Sequence, residues 1–252
     1  MAQSGYGKIL LFNDFAGPEI PVTTAVAYGT TGGGCNYYLG DFTVRGTLED
    51  TAGGVVSLAK TGGWVRIGGQ DENAEGVYVG TEVCLSPALN GTLACEARVE
   101  LRIITTTSVF VGFHAATSGV IANATAEPVT STGTTMTLTA TEIAGFIFDS
   151  QLTAKEWHMP YQGGSLAAAT DSSNVNSSVL PTAGESVVLR VEIDSNGTCR
   201  WYIDGVLKQT KVNAVDPNEL LSAGVGSWGT TTTATDIDCD YLAVEGNRDW
   251  TV

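Results

Sequence analysis

The run from Val187 to Leu207 constrains this chain more than any other. An alternating strand, an Asn-Gly turn, a second alternating strand and an Asp-Gly turn follow without interruption. Val187, Leu189, Val191 and Ile193 share one phase and Arg190, Glu192 and Asp194 the other. After Asn196-Gly197, Cys199, Trp201 and Ile203 oppose Arg200, Tyr202 and Asp204. A period of two with one dry and one wet face marks a half-buried strand, and Asn-Gly and Asp-Gly close tight hairpins. The stretch predicts a β-meander forming one layer of a sandwich.

The same alternation recurs from Ala94 to Ile104, where Glu96, Arg98, Glu100 and Arg102 line one face and Cys95, Ala97, Val99, Leu101 and Ile103 the other. Further strands are expected at Lys8–Phe12, Tyr38–Val44, Val55–Ala59, Trp64–Ile67, Val77–Leu85, Ser108–His114, Ala144–Asp149, Ala223–Trp228 and Asp236–Val244. In the last of these, Ile237, Cys239 and Tyr241 share the phase opposite Asp236, Asp238 and Asp240. Thr117–Thr141 reads as a surface excursion or a weak hairpin around Met136-Thr137-Leu138-Thr139, and Gly163–Pro181 as a second polar excursion. Asp216-Pro217-Asn218-Glu219 has the pattern of a capping box and predicts one or two helical turns. With 252 residues, 43% of them hydrophobic, the chain suits one all-β domain. Residues 1–45 are expected as an N-terminal arm or first hairpin of the same unit, and 46–252 as the sandwich proper.

A net charge of −15 and the lack of any Lys/Arg cluster argue against nucleic acid as a partner. No apolar window is long enough for a membrane helix, and the N-terminus lacks the pattern of a signal peptide. The five cysteines, Cys35, Cys84, Cys95, Cys199 and Cys239, include no Cys-x-x-Cys pair. Three lie in dry phases, so free buried thiols and folding in a reducing compartment are expected.

Residues 80–245, through Cys95–Leu101, Val109–Phe113, Trp201-Tyr202-Ile203-Asp204-Gly205 and Asp238–Val244, resemble the concanavalin A-like lectin/glucanase superfamily. The resemblance implies an antiparallel two-sheet jelly-roll sandwich with at most one or two short helices. Within that superfamily, Ala144–Asp149 followed by Trp157-His158, then Val187–Asp194, is similar to tailed-bacteriophage capsid decoration or cement proteins. That likeness implies a non-enzymatic virion structural protein, assembled in the host cytoplasm and displayed on the capsid surface. Its partners would be the major capsid protein and further copies of itself, a trimer among the arrangements. Tyr6, Tyr37 and Tyr38, beside glycine-rich stretches, are the candidate interface residues; packing beneath the sandwich is the equal alternative.

A carbohydrate-binding lectin-like module, on a virion or free, is the alternative function, with glycan as partner and Trp64, Trp157, Trp228 and Tyr37-Tyr38 as candidate platforms. Strand tryptophans more often belong to the core. A glycoside hydrolase of the same fold comes third, because the paired carboxylates of such glucanases are missing. Glu192-Ile193-Asp194 runs into a turn, and Glu96-x-Arg98-x-Glu100 carries an arginine between its acids. His114 and His158 read as structural, and Asp236, Asp238 and Asp240 stand too far apart along a strand to converge on one ion. The sequence therefore assigns no catalytic residue, no metal ligand and no cofactor.

Overall fold

The computed structural model describes residues 7–17, 37–46, 54–68, 76–115, 127–231 and 236–248. With strands numbered in chain order, the first sheet runs β15 (Val206–Lys211), β14 (Cys199–Ile203), β13 (Ser186–Ile193), β7 (Leu93–Leu101), β17 (Asp236–Asn247), β5 (Val65–Gly68) and β4 (Gly54–Ser57), with β1 (Lys8–Asn13) paired to the end of β17. The second runs β12 (Tyr161–Gln162), β11 (Ile143–Asp149), β8 (Thr107–His114), β16 (Ser222–Gly229), β6 (Gly76–Gly80), β3 (Phe42–Gly46) and β2 (Tyr37–Leu39). A separate hairpin joins β9 (Val129–Thr132) to β10 (Thr135–Leu138), and one helical turn, α1, spans Pro87–Asn90.

The meander forms as its pattern requires. Leu189 pairs with Ile203 and Val191 with Trp201, so the dry rows of β13 and β14 fall on one face. Asp204 and Gly205 both have positive φ, +49° and +75°, the backbone of a type I′ turn. On the solvent face, the charges of the first sheet pair off. The Arg200 guanidinium grips Asp194 through both arms, at 2.8 and 2.7 Å, and holds its carboxyl below the ordinary range. Asp238, 1% exposed, accepts from Lys60 at 2.9 Å and Arg66 at 2.8 Å. Arg98 reaches Asp240, Arg102 reaches Asp236, and Arg190 lies between Glu96 and Glu192.

Three expectations need correction. The strand expected over Tyr38–Val44 is two antiparallel strands, β2 and β3, because the chain reverses at Gly40-Asp41, where Gly40 has φ +62°. Tyr241 does not share the phase of Cys239: a bulge at Asp240 shifts the register, so Tyr241 turns outward to donate to Glu96 at 2.7 Å and Leu242 takes the core position. The segment Asp216–Leu220 forms turns rather than a helix. The Asp216 carboxylate accepts the N–H of Asn218, two residues on, which is an Asx turn, and an Asx turn satisfies the aspartate without any helix.

The second sheet differs in kind, since β8, β11 and β16 are buried along their whole length on both faces. Directly paired residues share a face. One face, with Val79, Val111, Phe113, Phe146 and Val225, is apolar and meets the dry rows of the first sheet in the core. The opposite face mixes Arg45, Tyr78, Ser108, Phe110, His114, Asp149 and Trp228. Across it Gly145, Gly112, Gly224 and Gly80 stand side by side on four adjacent strands, leaving a trough without side chains. Aromatic rings lie down in that trough: a Cβ on Gly145 would come within 2.4 Å of Phe110, and one on Gly80 within 2.5 Å of Tyr78. His114 sits edge-on to both rings, and burial pushes its pKa down to about 4.

Candidate functional site

Three loops meet where β11 begins: the one leaving β12, the β13–β14 turn, and the segment after β15. They are fastened backbone to backbone. Gly164 N–H donates to Ala214 O at 3.2 Å, Leu166 N–H to Asn213 O at 3.2 Å, and Ala214 N–H to Gly197 O at 2.9 Å. Glycine makes this approach possible, because a Cβ on Gly164 would lie 2.1 Å from Asn213 O and one on Gly197 2.2 Å from Val215 O.

Beneath Gly163 lies the carboxyl of Glu142, which is 5% exposed and accepts the backbone N–H of Asp216 at 2.9 Å. Desolvation, reinforced by the charges of Asp216 and Glu219, pushes Glu142 up to about 7. The same loops wall a cleft of about 460 Å³, lined by Gly163–Ser165, Asn196, Asn213 and Val215–Pro217. Asn196 uses its Oδ1 to accept from Thr198 and presents its amide NH₂, whereas Asp216 uses Oδ1 for Asn218 and presents Oδ2. The wall therefore carries both donors and acceptors, on loops fastened to one another by backbone hydrogen bonds.

The sequence did not point to this cleft. Its parts come from three separated segments with no periodic signal, and only the close-packed Gly163-Gly164 and Asn196-Gly197 pairs mark them. The residues singled out earlier lie elsewhere. Tyr6 is outside the described residues. Tyr37 and Tyr38 belong to β2, at the opposite edge of the second sheet from β12. Trp157 and Trp228 are core residues, and Trp64 is 7% exposed, covered by Lys60 and Arg98, so none of the three offers an open platform. His158 is buried, with its ring nitrogens 3.1 Å from Ser172 O and 3.0 Å from Ala154 O. The Asp236, Asp238 and Asp240 row is occupied by the cations that pair with it. Cys95, Cys199 and Cys239 are buried free thiols and Cys84 an exposed one; Cys35 is outside the described residues.

No family model matches the chain, and no curated protein matches it by sequence. Solved structures do match. A protein of unknown function, SO2946, from Shewanella oneidensis MR-1 superposes with a TM-score of 0.60 at 12% identity, over 97% of this chain and 89% of its own. The carbohydrate recognition domain of Emp47p gives 0.52 at 9% identity, over 85% of this chain and 92% of that one. The fold is a concanavalin A-like sandwich. A point mutant of the Emp46p carbohydrate recognition domain, at 0.50 and 10% identity, covers 96% of this chain and 100% of its own. At such identities the likeness carries the architecture, and the function has to be argued from the site.

Proposed function

We propose that the chain is a carbohydrate-binding, lectin-like module that takes a neutral saccharide in the cleft between Gly163–Ser165, Asn196 and Val215–Pro217. The observation that carries this reading is the cleft itself. It is of ligand size, its polar groups are complementary donors and acceptors, and its loops are preorganised by backbone bonds. Sugar hydroxyls both donate and accept, so a wall offering the Asn196 amide and the Asp216 carboxylate suits them. Asp216 in the wall, in a chain of net charge −15, disfavours uronates and other anionic sugars. Two of the structural neighbours are named as carbohydrate recognition domains, which supports the same reading. Calorimetric titration with neutral mono- and oligosaccharides tests it: saturable binding lost on Asp216→Asn supports the proposal, and no binding at millimolar sugar refutes it.

A second reading is the capsid decoration protein suggested by the sequence, and one observation favours it. On β1, Leu10 and Phe12 are exposed, 36% and 50%, and the Phe12 ring lies 6.0 Å from Tyr241 on the outward face of the first sheet. Such an apolar patch suits contact with another protein surface. Co-sedimentation with capsids, abolished by Phe12→Ser, is the expected outcome, and co-sedimentation unchanged by that substitution counts against it.

A further inference from the structure

An open sheet edge offers unpaired N–H and C=O groups to any strand that comes alongside, and proteins blunt such edges by shortening, charging or bulging them. The edge strands β12, β2 and β4 are short, with two, three and four residues. β15 is longer, but its register to β14 shifts between Trp201 and Tyr202, and it carries Lys208 and Lys211.

β1 has none of these devices. It runs for six residues, Lys-Ile-Leu-Leu-Phe-Asn, in unbroken register with Leu242–Asn247 of β17. On the same side of β17, β5 pairs with Asp236–Cys239 and is itself covered by β4. The sheet is therefore one strand narrower at β1, and among the described residues no backbone group bonds to the open side of that strand. Ile9 and Leu11 pack against the core yet stay only partly buried, and Leu10 and Phe12 on the outer face are exposed.

The strand itself says what fits there. Lys8 stands at one end of the outer face, and Asp14 follows the other end in the same phase. Antiparallel pairing of two copies about Leu11 sets Lys8 opposite Asp14 and Leu10 opposite Phe12, each contact repeated by the two-fold. A slip by one residue would set the outer row of one copy against the core-facing row of the other. Both ions are exposed, and among the described residues neither has a partner of opposite charge. Six residues of strand separate them by about 20 Å, too far to pair within one chain. We infer that β1 is the contact through which two copies of this chain pair, antiparallel and in this register, joining their first sheets into one. The net charge of −15 on each chain does not forbid it, because at about 0.15 M salt charges more than about 8 Å apart are largely screened.

Sedimentation velocity of the full chain at about 0.15 M salt tests this. A reversible dimer with Kd of about 10⁻⁶ to 10⁻⁴ M is expected, since one strand pair is a contact at the small end of the range. Lys8→Glu and Asp14→Lys should each weaken it by about tenfold, because each creates a like-charge contact that the two-fold repeats. The double variant should restore it to within about threefold, since the reversed ions can meet only between copies. Leu10→Lys, which gives β1 the kind of guard that β15 carries, should leave a folded monomer. If Asp14→Lys fails to fold, Lys8→Glu and Leu10→Lys decide. A parent chain that stays monomeric at about 0.5 mM overturns the proposal. A dimer indifferent to Leu10→Lys and Lys8→Glu overturns it too, because the contact would then lie elsewhere. Failure of the folded double variant to recover overturns the register.

Discussion

Replacing Trp201 with alanine removes the side chain that most directly joins the two sheets. Its indole is fully buried, donates from Nε1 to Gly145 O in β11 at 2.8 Å, and packs 6.2 Å from Tyr161, next to the cleft. A side chain of this kind buries about 150–250 Å², which at about 25 cal/mol per Å² is about 4–6 kcal/mol of transfer free energy. Residual burial in the unfolded chain lowers that to about 3–5 kcal/mol, in line with other large-to-small aromatic truncations. Trp201→Phe separates the contributions: it keeps most of the ring and loses the bond to Gly145 O, for about 1–2 kcal/mol. Both variants should be measured by urea unfolding followed by far-UV circular dichroism, with slopes matching the parent so that the midpoint reports stability. A loss below about 1 kcal/mol for Trp201→Ala would mean that the side chain does not bridge the sheets as described.

Gly224→Ala should destabilise severely, because the new methyl would lie 2.2 Å from Val79 O and 2.6 Å from the Gly80 Cα, positions that backbone cannot vacate; equilibrium unfolding checks it. In a Cys35→Ser background a thiol reagent should label Cys84 in the native protein and Cys95, Cys199 and Cys239 only after unfolding, the latter three being fully enclosed. Glu127 and Glu142, pushed up from 4.5 to about 8 and about 7, hold protons in the folded state that the unfolded chain has released. Stability should therefore fall as pH rises from 6.5 to 8, beyond the range where His114 opposes it, and level off above; Glu127→Gln should flatten that slope in pH-dependent thermal unfolding.

Much of the first sheet is legible in the sequence because its central strands β7, β13 and β14 have one wet and one dry face. The alternation of β7, β13 and β14 fixes which residues enter the core, and Asp204-Gly205 fixes the turn between β14 and β15. The reading fails where something other than period decides. The bulge at Asp240 reverses the phase of Tyr241, and no local residue pattern announces it. Asp216 satisfies itself in an Asx turn, so its capping-box pattern opens no helix. The strand expected over Tyr38–Val44 is two strands, β2 and β3, reversing at Gly40-Asp41. In the second sheet, burial on both faces replaces alternation with glycine and aromatic runs, whose partners become evident only when Gly145, Gly112, Gly224 and Gly80 are in register. The cleft was illegible for a related reason: Gly163, Asn196 and Asp216 come together through tertiary backbone contacts that leave no spacing rule in the chain.

The most direct test of carbohydrate recognition at the cleft is a calorimetric comparison of the parent chain with Asn213→Gly and Asp216→Asn. Neutral saccharides identified on a glycan array serve as ligands. Asn213→Gly tolerates the local backbone, where φ is +54°, and Asp216→Asn retains the acceptor for Asn218, so both should keep the parental thermal midpoint. Saturable binding of a neutral sugar by the parent, weakened at least tenfold in each variant, is the expected result. Binding of equal strength in parent and both variants, or no binding of any neutral saccharide by the folded parent, would contradict it.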